Sequence, residues 1–228
     1  EIFVGGVYKA LFFNKLIKNL LFVLCFMLFF CTNRAFSQIA VLNSETSAKY
    51  YSENSLGDYY KQWNNFIETF NHLNIKYQVL NENDVAKNNL QDVKILVLPL
   101  VVDLPENDLK NINDFVDKGG KILVLFPGVD VDKTITKLAN LVQVNLDKKN
   151  KLIYKSSVNY VEGTGFSDND FREKTDIVSI LANKSYKTLA VWGQIEENMP
   201  AVVVSRTGGY IGWNVSSDGS QNFNVNTL

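Results

Sequence analysis

The fold is decided by one stretch, "KILVLPLVVDLPENDLKNINDFVDKGGKILVLF", Lys94 to Phe126. Its opening run, "KILVLPLVV" (Lys94 to Val102), is nearly all apolar, as a strand buried on both faces of a parallel sheet would be. Asp103 and Glu106, three residues apart with Pro105 between them, mark a helix start. Leu109, Ile112, Phe115 and Val116 then recur at spacings of three and four, the buried stripe of that helix. Gly119-Gly120 end it. "KILVLF" (Lys121 to Phe126) repeats "KILVLP" at a period of 27 residues. That is the length of one strand-helix-strand unit, and a right-handed crossover would set the two strands side by side.

Working outward, "QIAVL" (Gln38 to Leu42) reads as a short strand and "NSETSAKYYSENSLGD" as a polar loop. Tyr59, Trp63, Phe66, Ile67, Phe70 and Leu73 form one face of an amphipathic helix. Asp58 is its candidate N-cap and Asn74 a candidate left-handed residue closing it. "IKYQVL" (Ile75 to Leu80) is the next strand, and "NENDVAKNNLQD" holds one short helical turn. Downstream, a weak helix spans Lys133 to Leu141. "LVQVNL" and "LIYKSSVNYVE" read as strands flanking a "DKKN" turn, with Lys148, Lys149 and Lys151 on a solvated hairpin tip. "SDNDFREKTDIVSILANKS" reads as one or two short helices, and "TLAVWG" as a strand. "PAVVVSRTGGYIGWNV" reads as a hairpin turning at Thr207-Gly208-Gly209. Alternation of strand and helix from Gln38 to Phe126 predicts an α/β three-layer domain with a mostly parallel sheet, flavodoxin-like, closed by an antiparallel C-terminal hairpin.

The first 37 residues differ from the rest. Lys9, Lys15 and Lys18 precede the apolar run "LLFVLCFMLFF", Leu20 to Phe30, and "CTNRAFSQ" follows. A basic region, a short apolar core and small residues at Ala35 and Ser37 make a signal-peptide pattern with cleavage before Gln38. The run is shorter than the ~20 residues a membrane span needs. The expectation is a secreted or periplasmic domain over 38–218, with membrane contact only through an uncleaved leader. Residues 219–228 would begin a truncated downstream segment. A lipidated Cys31 is disfavoured by the bulky Phe29 and Phe30 before it. The only cysteines are Cys25 and Cys31, so the mature chain would hold no disulfide, thiolate nucleophile or cysteine-ligated metal. Removing the leader's four Lys/Arg and one Glu leaves 19 basic and 23 acidic residues, a net of −4. A mildly acidic domain without a basic cluster is a poor nucleic-acid binder.

The strand "ILVLPL", the helix "LPENDLKNINDFVDKGG" and the strand "KILVLF" resemble the class I glutamine amidotransferase-like fold, most closely its non-catalytic branch. That branch includes trimerisation domains of some β-galactosidases and domains fused to secreted glycoside hydrolases and polysaccharide deacetylases. "PAVVVSRTGGYIGWNV" resembles the closing hairpin of such domains, and the resemblance covers most of Gln38 to Ser217. Catalytic members carry a nucleophilic Cys on the turn after the strand that "KILVLF" matches, with a His and an acid later in the chain. Here that turn is Phe126, Pro127 and Gly128. The only His, His72, lies upstream of it. Glutamine hydrolysis by that mechanism is excluded on residue types. The resemblance implies a non-catalytic accessory domain for scaffolding, oligomerisation or glycan contact, in a carbohydrate-active protein whose catalytic domain lies outside this chain.

Other chemistry has less to stand on. One His and no mature Cys leave too few ligands for zinc. "GTG" (Gly163 to Gly165) lacks the third glycine and the strand-to-helix context of a dinucleotide site. No catalytic, cofactor or metal site is expected. Paired carboxylates for a stand-alone polysaccharide hydrolase could come from Glu45, Asp103, Asp168, Asp170, Glu196 or Glu197, although most sit where caps and turns want acids anyway. Ser44 and Ser205 have no His partner. An aromatic rim remains. "KYYSENSLGDYYKQW" places tyrosines after the first strand, near the carboxyl edge where open α/β sheets bind ligands, and aromatic faces pack on sugar rings. Glu45, Tyr50, Tyr51, Asp103 and Trp192 would border a polysaccharide or other solute there. A competing reading puts Tyr59 and Trp63 in the core and the other tyrosines half-buried.

Overall fold

A computed structural model describes residues 38–129, 133–154, 157–160, 169–170, 175–181, 185–192 and 199–214. The leader, the Gly163–Gly165 loop, Asp168, Glu196, Glu197 and the segment after Asn214 lie outside the described residues. In chain order the elements are β1 (Ile39–Asn43), α1 (Glu45–Glu53), α2 (Tyr59–His72), β2 (Gln78–Asn81), α3 (Glu82–Ala86), β3 (Ile95–Leu98), α4 (Glu106–Asp117), β4 (Lys121–Leu125) and α5 (Lys133–Leu141). Then come β5 (Asn145–Tyr154), β6 (Ser157–Tyr160), β7 (Asn169–Asp170), β8 (Thr175–Leu181), β9 (Tyr186–Trp192), β10 (Pro200–Ser205) and β11 (Gly208–Ile211).

The main sheet runs β2-β1-β3-β4-β11-β10-β9-β6-β7, and β5 pairs with β8 separately. Strands β2, β1, β3, β4 and β11 are parallel. From β10 to β7 the pairing is antiparallel. The 27-residue repeat ends where the crossover rule puts it: Ile95 to Leu98 pair with Lys121 to Val124. The chain therefore has the expected mixed α/β fold with a parallel sheet. Order reverses at β1, which is hydrogen-bonded to β2 on one side and β3 on the other.

The helices form where the apolar pattern predicts them; α2 also has its expected cap, whereas α4 starts from Pro105 with no side-chain cap, Asp103 lying before it. In α2, Tyr59, Trp63, Phe66 and Phe70 are buried, Asp58 accepts a hydrogen bond from Lys61 N, and Asn74 adopts φ 54° to turn the chain. In α4 the stripe Leu109, Ile112, Phe115 and Val116 is buried, and Gly119 leaves it at φ 97°. At β11 the chain passes so close to β4 that a Cβ on Gly208 would sit 1.9 Å from the Ile122 carbonyl oxygen.

Several expectations are corrected. The "polar loop" after β1 is helix α1, because Ser44 caps it by accepting from Ser47 N and the buried Tyr51 anchors it. Only Ile95–Leu98 of the long apolar run is strand. Pro99 brings no N–H to a ladder, Leu100 turns at φ 54°, and Leu100, Val101 and Val102 are buried without being strand. The predicted strand Ile75 to Leu80 shifts to Gln78–Asn81. "DKKN" lies within β5 as a register irregularity between Asp147 and Lys151, with no hairpin there. "TDIVSIL" is strand β8, not helix, since its pairing with β5 and the Ile177 bridge to Trp213 override local preference. The final hairpin turns at Arg206-Thr207, and both glycines lie in β11.

Candidate functional site

In an open parallel sheet, ligands bind at the carboxyl ends of strands where strand order reverses. Here that place lies above β1 and β3. The chain fills it with its own polar groups. Glu82, the first residue after β2, lies over the N-terminus of α1. Its carboxylate accepts from Ser44 Oγ at 2.6 Å, Thr46 N at 3.0 Å and Thr46 Oγ1 at 2.8 Å. A helix N-terminus with free N–H groups is an anion site, and Glu82 occupies this one. Ser44 Oγ also lies 2.8 Å from Ser47 Oγ. Ser47 Oγ donates to the Asp103 carbonyl at 2.8 Å and accepts from Val102 N and Asp103 N at 3.2 and 3.3 Å. The loop leaving β3 is thereby stitched to α1. Tyr59 OH accepts from Ser44 N at 2.9 Å. Thr134 Oγ1, on α5, reaches Asp103 Oδ1 at 3.3 Å.

Burial acts on the ionisable groups around this cluster. It raises the Tyr59 phenol well above its ordinary range; the Ser44 N–H opposes this, while Tyr60 and Glu82 add to it. Asp108, only 2 % exposed, is raised first by burial and then by the Glu82 charge.

The turn after β4 is also closed. Phe126, Pro127 and Val129 are buried. The Pro127 carbonyl accepts from Tyr51 OH at 2.8 Å and from Asn214 Nδ2 at 3.3 Å. Asn214 Nδ2 also reaches Gln62 Oε1 at 2.8 Å, tying the end of β11 to α2. A nucleophile elbow must be open to substrate; this one is lidded by a tyrosine and an asparagine.

The five rim residues separate. Glu45 is exposed on the first turn of α1, and Tyr50 and Asp103 are half-buried. Asp103 meets the start of α1 through Ser44 and Ser47. Tyr51 is 1 % exposed and points to Pro127. Trp192, 2 % exposed, stacks edge-on against Trp213 at 5.5 Å, on the antiparallel side of the sheet. Tyr51 and Trp192 are core residues and form no rim. Ser44 is fully buried and bonded to a carboxylate rather than an imidazole. His72 is exposed in the last turn of α2. Among the described residues, no group of three or more His, Cys, Asp or Glu side chains could hold a metal ion. The residues that sequence reasoning missed are Glu82, Ser47 and Asn214. A signal for the first existed: parallel neighbours β1 and β2 end level, Asn43 opposite Asn81, so Ser44 and Glu82 emerge side by side.

A family model described as the β-galactosidase trimerisation domain matches residues 37–226. No curated protein matches the chain. Among solved structures, the fold is similar to part of the β-galactosidase of Bacillus circulans sp. alkalophilus. The TM-score is 0.60 at 13% identity, over 78% of this chain and 28% of that one. For the β-galactosidase of the haloarchaeon Halorubrum lacusprofundi the TM-score is 0.60 at 17% identity, over 82% and 29%. A ThuA-like protein from Bacteroides uniformis gives 0.54 at 11%, over 85% and 89%. At these identities the likeness is one of fold, and the chain spans under a third of the β-galactosidases' length. A switch point filled by the chain's own Glu82, a sealed elbow and a family match over 37–226 agree: this chain belongs to the β-galactosidase trimerisation domain family.

Proposed function

We propose that this chain is a non-catalytic, self-associating domain that holds a fused catalytic segment of a carbohydrate-active protein in an oligomer. One observation carries the non-catalytic half: Glu82 occupies the anion site at the N-terminus of α1, where a sheet of this order would take a ligand. The family match supports the oligomeric half. In this reading the domain belongs to the non-catalytic branch of the amidotransferase-like folds, and the sealed turn at Phe126-Pro127 stands where catalytic members would carry their nucleophile. The leader over 1–37 directs export, and N-terminal sequencing of the exported protein, expected to begin at Gln38, tests that part.

Sedimentation equilibrium tests the main proposal. Three copies per particle is the expected result. A monomer at every concentration up to ~100 μM, where contacts weaker than about −5 kcal/mol would be lost, overturns it. Glycan contact would fall to Glu45, Tyr50 and Asp103, the rim residues that reach solvent; a glycan array with a Tyr50→Ala control reads it directly.

A further inference from the structure

We infer that the edge of the sheet where its parallel strands begin is a binding strip for an acidic polysaccharide, a chain bearing carboxylates or sulfates; this goes beyond the self-associating reading and does not rest on it. Strands β3, β4 and β11 start at this edge, β10 ends there and β9 starts there. Basic residues from separate segments meet along it. Lys94 precedes β3 and Lys121 opens β4, and Lys121 N donates to the Lys94 carbonyl at 2.8 Å. Ile122 N donates to the Thr207 carbonyl at 3.1 Å, which sets Lys121 beside the turn from β10 to β11, and the Lys121 ammonium donates to the Arg206 carbonyl in that turn. Lys187, in β9, stands in register with Val204, two residues before Arg206. Lys118 closes α4 just ahead of Gly119-Gly120 and β4. Neighbouring strands lie about 4.8 Å apart, so the steps from β3 through β4, β11 and β10 to β9 stretch the row over about 19 Å.

Lys94, Lys118, Lys121, Lys187 and Arg206 are all exposed. The ion pairs seen among the described residues, Lys49 with Glu53 and Lys137 with Glu106, involve none of them. The exposed acids flanking them in sequence are Asp92 and Asp117, so the row stays positive. The opposite edge has the reverse sign. Glu45, Glu82, Asp103 and Glu106 stand where β1, β2 and β3 end and the following helices begin. The near-neutral total of −1 therefore hides a polarity, and no run of basic residues announces it because each segment supplies only one or two.

Geometry and residue type select the occupant. A narrow row complements a linear polyanion, whereas an anionic membrane is met by a cluster beside a span or by a broad amphipathic face. Single-stranded nucleic acid needs aromatic faces on which its bases stack. The strongly exposed aromatic among the described residues is Tyr60, next to Tyr59 and so at the opposite edge, where Tyr59 OH meets Ser44 N. Lysine is a compact point charge that meets a carboxylate or sulfate from any direction, and the rigid fork with which arginine reads phosphate occurs here only at Arg206.

The test titrates the full 228-residue chain into fluorescently labelled polygalacturonate oligomers and reads anisotropy at low and at physiological salt, with a thermal melt of each variant. Saturable binding that weakens with salt is expected, because exposed charges are screened beyond about 8–10 Å. Lys94→Glu/Lys187→Glu, at the two ends of the row, should weaken binding roughly tenfold or more with an unchanged melt. Lys49→Glu/Lys110→Glu reverses as many exposed charges on α1 and α4, away from the row, and should stay within about twofold of wild type at physiological salt. No binding at low salt, or an equal loss in both double variants, would overturn the strip. Oligodeoxythymidine or phosphatidylglycerol vesicles bound as tightly as polygalacturonate would overturn the assignment of its occupant. None of these outcomes bears on the oligomeric reading, which sedimentation decides separately.

Discussion

Replacing Glu82 by alanine removes the carboxylate that joins the end of β2 to the start of α1. Three donors lose their acceptor: Ser44 Oγ, Thr46 N and Thr46 Oγ1 at 2.6, 3.0 and 2.8 Å. Hydrogen bonds to a charged group contribute about 1.5–3 kcal/mol each, and the anion's interaction with the helix N-terminus adds about 0.3–1 kcal/mol. Two effects reduce the sum. Glu82 is half-buried, so water can replace part of what is lost, and its charge no longer opposes ionisation of Asp108. The expected net loss is about 3 kcal/mol, below the gross sum because such bonds do not add. For a domain of this size that lowers Tm by roughly 6–12 °C. Glu82→Gln keeps one acceptor oxygen and should lose about half as much. Urea denaturation at pH 7, at one fixed protein concentration because association adds to stability, measures both. A loss below about 1 kcal/mol for Glu82→Ala would mean that the carboxylate is a solvated surface group, and the account of a self-occupied anion site would fail.

Four further outcomes are expected. Ser47→Ala leaves Val102 N and Asp103 N without their buried acceptor and should cost about 2–3 kcal/mol in the same urea assay. Gly208→Ala drives a Cβ into the Ile122 carbonyl, a backbone atom that cannot swing away; a loss of ~3 kcal/mol or more is expected, read as a collapse in soluble yield or melting temperature. Tyr51→Phe deletes the bond to Pro127 O but leaves Asn214 on that carbonyl, so about 1 kcal/mol should be lost. Asp108 binds its proton more tightly folded than unfolded, because burial and then Glu82 raise it. Its contribution is therefore fully present below the ordinary aspartate range and fades as pH rises through the raised folded value. Asp108→Asn should remove that part of the pH dependence: pH-resolved melts should show a relative gain at neutral pH and little change in strong acid.

Much of the core was legible because its causes are local. The stripe in α4 and the buried face of α2 follow from spacing alone, and the 27-residue repeat predicts adjacent parallel strands because a crossover has one favoured hand. The errors have equally physical origins. Helix α1 carries too few apolar residues to announce itself, and its stability comes from Ser44 and Tyr51 meeting Glu82 and the Pro127 carbonyl, partners that only the fold brings near. Strand β8 exists because β5 lies beside it.

For the site, the sequence by itself determined what chemistry is absent. A turn of Phe126, Pro127 and Gly128, one upstream His and no cysteine after Cys31 exclude a thiolate nucleophile at that turn. Only the tertiary structure decided that the ligand crevice is also filled. Ser44 and Glu82 are 38 residues apart, and no spacing rule couples them; parallel pairing of β1 with β2 puts their carboxyl ends level, and a carboxylate beside free helix N–H groups then binds there.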